Sequence, residues 1–293
     1  MKYDWDNVGL LCGSASQEVH KILVALDPFE GVCREAAEKG ADLLVTHHPL
    51  IFRPRKSVTD GDDVGRSILF LAKHGISALN AHTNLDCAPG GVNDVLAETL
   101  GSRDNLELLF GDILKQDIPA LTASRFPGLR VKACANLPYY ITSDILAALL
   151  EARCFETVTV MVQKEVAQRI CAAPGAGDYG AFSVFCQYHA QPEILFDVPP
   201  ACFIPQPKVT SAVLHLTVRS QPPAAVADEA FFFRVVRASF AQRRKTLVNG
   251  LSALGIPKPR LLEAVAACGL PENVRGETLS IPQFAALAAF LGA

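Results

Sequence analysis

Two groups of residues in this 293-residue chain have types and spacings that can do chemistry. The first is the run Asn136-Leu137-Pro138-Tyr139-Tyr140, which follows an apolar stretch over 131–135. An asparagine amide offers both an acceptor and a donor, which suits the edge of a flat amino-heterocycle such as adenine. Tyr139 supplies a stacking face, and the proline makes the bend rigid. The same residue types also make an ordinary strand-end turn. A second aromatic, Phe203, sits in a proline-braced loop over 198–208. Enzymes that modify a base must take it out of its stack and hold it by stacking and edge hydrogen bonds, and Tyr139 and Phe203 can do this. The alternative is that Phe203 only packs its loop onto a sheet. The second group is Thr46-His47-His48-Pro49 and His82-Thr83-Asn84-Leu85-Asp86, each after an apolar run. Imidazoles with a carboxylate suit a divalent transition metal, Zn, Mn, Fe or Ni by ligand type. Adjacent His47 and His48 point different ways on an extended chain, so they can serve two ions. Polar strand ends with ordinary loop histidines are the alternative.

The elements that must position these residues can be read from periodicity. Apolar runs over 21–26, 41–45 and 76–81 predict strands. Helical patterns over 30–39, 64–74 and 92–100 alternate with them. That alternation predicts a parallel α/β layer, whose strand C-termini are the usual ligand edge. Further strands are expected over 106–110, 131–135, 156–162, 190–196 and 210–218. Between them come an amphipathic segment over 113–121, a helix N-capped by Ser143, a helix over 163–171 and a helical or mixed segment over 182–188. After a short linker at 221–227 the pattern is all helical, over 229–240, 243–254, 259–268 and 281–291. Between Phe231 and Leu262 there is no acidic residue, but there are Arg234, Arg237, Arg243, Arg244, Lys245, Lys258 and Arg260. A field of one sign on helices fits contact with an RNA phosphate backbone, and a solvated basic face is the plain alternative.

The net charge of -3 gives no global polyanion signal, so a nucleic-acid surface must be a local patch. Half of the residues are hydrophobic, which is a globular composition. The nine cysteines form no C-x-x-C pair, and most lie in apolar runs. They predict buried, reduced thiols in a cytoplasmic protein rather than disulfides or zinc ligands. A polar N-terminus and the lack of a run of membrane-spanning length predict neither a signal peptide nor a membrane anchor.

The pieces DWDNVGLLCG, ILVALDP, ADLLVTHHPLIF and AHTNLDCAPGGVND resemble the N-terminal half of the Nif3-like family, also named GTP cyclohydrolase 1 type 2 homologs. The resemblance covers about residues 4–101. It implies a dinuclear metal site with His47, His48 and Asp86 as ligands and His82 as a neighbour. The family completes that site with a His and a Glu on a later motif, and no such segment follows Gly101.

From about 104 to 290 the chain resembles the ribosomal small-subunit RNA adenine N6-dimethyltransferases. The carrying motifs are NLELLFGDIL, ANLPYYITSDIL, VQKEVAQRI with GDYGAFSV, DVPPACFIPQPKVTSAV, and SFAQRRKTLVNGL. The resemblance implies that Asp112 hydrogen-bonds the adenine of S-adenosylmethionine. It also implies that Asn136 holds the target amine beside the cofactor, and that Tyr139 and Phe203 stack on the target base. Methyl groups would pass from the sulfonium to an adenine exocyclic nitrogen of small-subunit ribosomal RNA, with positioning as the main catalytic effect. The family's glycine-rich cofactor loop has no counterpart before Leu106.

The expected fold class is α/β: a partial Nif3-like layer over 1–101, the C-terminal half of a Rossmann-like methyltransferase domain over 102–220, and a small all-α RNA-binding domain over 221–293. Arg243, Arg244 and Lys245 are the expected RNA contacts. The expected activity is that of an S-adenosylmethionine-dependent rRNA adenine N6-dimethyltransferase, whose missing glycine loop predicts lost turnover. The alternatives are a Nif3-like metal-binding protein or hydrolase, and an inactive fusion that retains only RNA binding.

Overall fold

From Ile22 to Asp86 strands and helices alternate, as the apolar periodicity requires. The computed structural model describes residues 6–86, 88–101, 105–107, 109, 111–203, 207–242 and 245–292. It separates into two compact units, Met1–Phe110 and Gly111–Ala293. The first unit runs β1 (Gly9–Cys12), β2 (Ile22–Ala25), α1 (Glu30–Glu38), β3 (Leu43–Thr46), α2 (Asp63–Lys73), β4 (Ser77–Asn80), α3 (Thr83–Asp86) and α4 (Val92–Gly101). Its sheet has the order β1-β4-β3-β2, with β2, β3 and β4 parallel and β1 antiparallel to β4. Leu44 and Ala78 on one face bury against Cys33 and Ala36 of α1 and Leu71 of α2. Ile22 and Val24 on the opposite face remain exposed. The β3–β4 register pairs Thr46 with Asn80, so the chain leaves both strands at one level. That register brings the two histidine segments to the same edge.

The second unit begins with a 3-10 turn at Ile113–Lys115 and α5 (Ile118–Arg125). There follow β5 (Val131–Asn136), a 3-10 turn at Tyr139–Ile141, α6 (Thr142–Glu151), β6 (Phe155–Gln163), α7 (Lys164–Cys171), α8 (Ala181–His189), β7 (Ala190–Val198) and β8 (Ser211–Val218). The strand order is β5-β6-β8-β7. β5 and β6 are parallel, and the other pairs are antiparallel. Val158, Val160 and Val162 of β6 and Leu214 and Leu216 of β8 bury one face against Leu146, Leu149 and Leu150 of α6 and Ile170 of α7.

The chain closes with α9 (Glu229–Phe240), α10 (Leu247–Leu251), α11 (Lys258–Ala267) and α12 (Ile281–Gly292). Their core takes in Tyr179, Val184 and Tyr188 from the α8 region, which ties the helices to the sheet. Burial pushes the Tyr179 hydroxyl up to about 12, and the hydroxyl donates to Leu279 O at 3.1 Å. α9 is the centre of this core. It buries Phe232, Phe233, Val235 and Val236, and exposes Arg234 and Arg237. Two glycines let other segments reach the α9 backbone. A Cβ on Gly250 would lie 2.9 Å from Ala238 O, and one on Gly276 would lie 2.6 Å from Ser239 O. No helix among the described residues is long and apolar enough to cross a membrane.

The structure differs from the sequence expectations at several places. Leu106, Glu107 and Leu109 are not in a strand, and residues 108 and 110 lie outside the described ones. Ser143 is not a cap. The 3-10 turn at Tyr139–Ile141 runs directly into α6, and Thr142 instead donates its hydroxyl to Pro138 O at 3.0 Å. The helix expected over 243–254 is shorter: α10 starts at Leu247, after Thr246 in extended conformation. The thiols are not all buried. Cys33 and Cys186 are, but Cys134 and Cys202 are exposed, because β5 turns Cys134 out on its polar face and Cys202 lies on the proline loop.

Two predictions follow from the packing around α9. Gly276→Ala must push apart two backbones in a filled core, and overpacking of this kind costs about 1–3 kcal/mol. The denaturation midpoint should drop accordingly, and an unchanged midpoint would contradict the close approach. The second concerns His189, which is buried among Phe185 at 4.7 Å, Tyr188 at 5.2 Å and Phe233 at 5.8 Å. Burial lowers its pKa below the ordinary 6.5, against the opposing pull of Glu229. The unfolded chain therefore takes up this proton at higher pH than the folded one. The contribution is whole above 6.5 and is lost as the pH falls through the folded value. Denaturation followed from pH about 8 to about 5 should show falling stability, and His189→Gln should flatten that slope.

Candidate functional site

The second unit builds a cavity at the C-terminal end of β5. Asn136 is the last strand residue, paired with Met161, and Leu137 N extends the ladder by donating to Met161 O at 3.2 Å. Leu137 is buried and anchors the turn, while the Thr142 hydroxyl on Pro138 O fixes its far side. Tyr139 is thereby held half-buried, and its hydroxyl meets that of Ser211 at 2.6 Å. Opposite, Pro199 and Pro200 lead a 3-10 turn closed by Phe203 N donating to Pro200 O at 3.1 Å. Asn136, Leu137, Pro138, Tyr139 and Phe203 line one cavity of about 290 Å³. An exposed amide between two aromatic side chains can take the edge and the faces of a single base.

Asp112 does not line that cavity. It is exposed and caps the first 3-10 turn, with Oδ1 accepting from Leu114 N at 3.1 Å and Oδ2 3.7 Å from Lys115 Nζ. Of the basic residues, Arg234, Arg237, Lys245 and Lys258 are exposed. Arg260 instead turns inward: it donates to Phe290 O at 3.0 Å and lies 4.4 Å over the Phe290 ring. Arg243 and Arg244 lie outside the described residues.

In the first unit, His47, His48 and His82 come together with ligand atoms all within 4.8 Å of one another. β3 ends at Thr46 and the chain bends at 47–48, so the alternation of an extended strand does not carry the two rings apart. Their centroids are 5.1 Å apart. Asn80 holds the bend by donating from Nδ2 to Thr46 Oγ1 and, at 3.1 Å, to His48 O. Asp86 Oδ1 is 3.6 Å from His47 Nε2. Two carboxylates outside the expected set complete the group. Asp27 Oδ1 is 2.6 Å from His48 Nδ1, and Asp6 Oδ1 is 2.9 Å from His82 Nδ1. Burial alone would raise the Asp6 pKa, but the hydrogen bonds from Thr83 and His82 outweigh it and hold the carboxyl below its ordinary value.

Ser211, Asp6 and Asp27 are the functional side chains that sequence reasoning missed. Asp6 and Asp27 do lie inside the DWDNVG and ILVALDP pieces, which is the one signal that could have found them. Ser211 has only its place in KVTSAV.

Comparison with known proteins finds likeness to two families. The family model described as Duf34/NIF3 (NGG1p interacting factor 3) matches residues 1–190, well over half of the chain. The chain is similar to a ribosomal RNA small subunit methyltransferase A of Alkaliphilus oremlandii. The two are 47% identical over 197 residues, which cover 66% of this chain and 69% of the relative. Among solved structures, a dimethyladenosine transferase from Plasmodium falciparum aligns over 93% of this chain and 90% of its own, at 19% identity and a TM-score of 0.53, a likeness of fold. A hypothetical protein of Staphylococcus aureus is 44% identical over 34% of this chain, with a TM-score of 0.33, and the chain spans 28% of that protein's length. The chain belongs to the Duf34/NIF3 family, whose model matches residues 1–190, and to the ribosomal RNA small subunit methyltransferase A family.

Proposed function

We propose that this chain acts on small-subunit ribosomal RNA as an adenine N6-dimethyltransferase that takes its methyl groups from S-adenosylmethionine. The observation that carries the reading is the single cavity shared by Asn136, Tyr139 and Phe203. In this reading the target adenine leaves its stack and enters between the two aromatic side chains. The Asn136 carbonyl accepts from the exocyclic amine and orients it. Ser211 holds Tyr139 through their hydroxyl contact, which fixes the stacking face. Arg234, Arg237 and Lys245, together with Arg243 and Arg244, supply the phosphate contacts of an RNA-binding segment over 221–293. The catalytic segment then spans 102–220, and the Nif3-like segment 1–101.

The methyl donor fits these residues only in part. Asp112 keeps spare acceptor capacity for the donor's adenine. The glycine-rich cofactor loop of the dimethyltransferases, which would receive the rest, has no counterpart in the sequence before Leu106. We therefore place donor binding, rather than RNA binding, as the weak point of this protein, and turnover as slow or lost.

A second reading concerns the first unit alone. The convergence of His47, His48 and His82 beside Asp86 favours a bound divalent metal. His47, His48 and Asp86 are the proposed ligands, and the ion would supply Lewis-acid chemistry at that edge.

Three measurements test the first reading. Tyr139→Ala and Phe203→Ala should each weaken binding of small-subunit ribosomal RNA by about 1–3 kcal/mol, the usual worth of a stacked base. The loss should vanish for RNA whose target adenine is abasic; equal losses on both RNAs would remove the base-stacking role. Arg234→Glu with Arg237→Glu should flatten the dependence of log affinity on log salt by about 0.7–0.9 per lost phosphate contact. A slope that does not change would rule these arginines out as phosphate contacts. Calorimetry with S-adenosylmethionine should give weak but measurable heat, and none at millimolar ligand would end the donor part of the reading.

A further inference from the structure

We infer that the first unit binds one divalent ion, not a pair, held by His47, His48 and His82 and closed by Asp86, with Asp27 and Asp6 as the partners that orient two of the rings. The inference rests on the metal reading above and deepens it in two respects: the number of ions, and the assignment of His82 as a ligand.

The three rings form a near-regular triangle. Their centroids are 5.1 Å apart for His47 and His48, 5.2 Å for His47 and His82, and 5.9 Å for His48 and His82. Each ring offers a donor within 4.8 Å of the other two; Asp86 lies outside that group, with its Oδ1 3.6 Å from His47 Nε2, and has to be drawn in to close the site. Zinc-type bonds of about 2.0–2.1 Å put tetrahedral donors about 3.3 Å apart, so small ring rotations close this set on one centre. Among the described residues, the three rings and Asp86 are enough to fill one tetrahedron. Two ions about 3.5–4 Å apart would have to share these groups, and even with Asp86 bridging them one ion would keep a single imidazole, fewer protein ligands than the three that open catalytic zinc sites retain.

The carboxylates settle which ring atoms face the ion. Asp27 takes Nδ1 of His48, and Asp6 takes Nδ1 of His82. With those N–H groups donating, each Nε2 lone pair is left free as a ligand, which is the usual arrangement of a metal-bound imidazole. The Asp6 side chain is completely shielded from solvent. Its Oδ1 also accepts from Asn7 N at 2.9 Å, and its Oδ2 accepts from Thr83 N at 3.1 Å and from the Thr83 hydroxyl. A carboxylate held by that many donors cannot swing, so it sets the His82 ring rigidly. His82 thus has the same outward support as His48, and support of that kind is what separates a ligand from a bystander.

The test uses the full chain, stripped by a chelator and titrated with Co(II) while its visible absorption is followed. One equivalent should produce the intense bands of a four-coordinate site, and Zn(II) should displace it mole for mole. His82→Gln should weaken Co(II) binding at least as much as loss of a ligand requires, well over tenfold. Asp6→Asn and Asp27→Asn should each weaken it by about 10–100-fold, keep the stoichiometry of one, and leave the far-ultraviolet circular dichroism unchanged. Two equivalents per chain, or full affinity in His82→Gln, would overturn the single three-histidine site and leave metal binding itself standing. Asp27→Asn reports independently if His82→Gln does not fold: unweakened binding there would overturn the orienting role. No Co(II) or Zn(II) bound at all would remove the metal reading together with this inference.

Discussion

The register of β6 is the constraint on which the cavity of Asn136, Tyr139 and Phe203 depends. This strand is hydrogen-bonded on both sides, parallel to β5 and antiparallel to β8. One ladder sets Asn136 opposite Met161, and the other sets Ser211 opposite Gln163. Together they bring the Tyr139 and Ser211 hydroxyls, 72 residues apart in sequence, to 2.6 Å. A slip of one residue in either ladder would turn its side chains to the other face. Val158, Val160 and Val162 oppose such a slip, because all three are buried on the face that α6 and α7 cover. Each contributes about 1.5–3 kcal/mol that would be lost on exposure.

The first unit uses the same device with different chemistry. Parallel pairing of β3 and β4 aligns Thr46 with Asn80, and the Asn80 side chain then bridges to the backbone of the histidine bend. Both sites therefore stand at the C-terminal ends of parallel strands, where the backbone leaves the sheet and side chains converge. They differ in what the convergence costs. The cavity beside Asn136 gathers neutral groups. The histidine cluster sits among Asp6, Asp27 and Asp86, so its charge balance depends on protons or on a cation.

Much of this was legible in the sequence. Most of the strands and helices followed from apolar periodicity, though not β1, and Asn136, Tyr139 and Phe203 announced themselves as polar and aromatic residues at bends stiffened by proline. His47, His48 and Asp86 stood out because imidazoles and carboxylates at strand ends are easy to notice. What escaped were partners made by the fold alone. Asp27 reads as the residue before a proline turn, yet it meets a histidine 21 positions later. Asp6 lies 76 positions from His82. Ser143 misled in the opposite direction: it has the right type for a cap, but a preceding 3-10 turn had already begun the helix. Arg260 likewise counts toward basic charge in the sequence, but it spends its guanidinium on Phe290 and Glu263.

The two borders of the second sheet are unlike. β7 carries Pro192, which has no N–H to offer, and a register irregularity between Ile194 and Phe196. After its first residue β5 runs unbroken, and no strand among the described residues pairs with its outer side. Lys132, Cys134 and Asn136 are exposed along it. The sheet can thus lengthen in one direction, along the strand whose last residue, Asn136, lines the cavity.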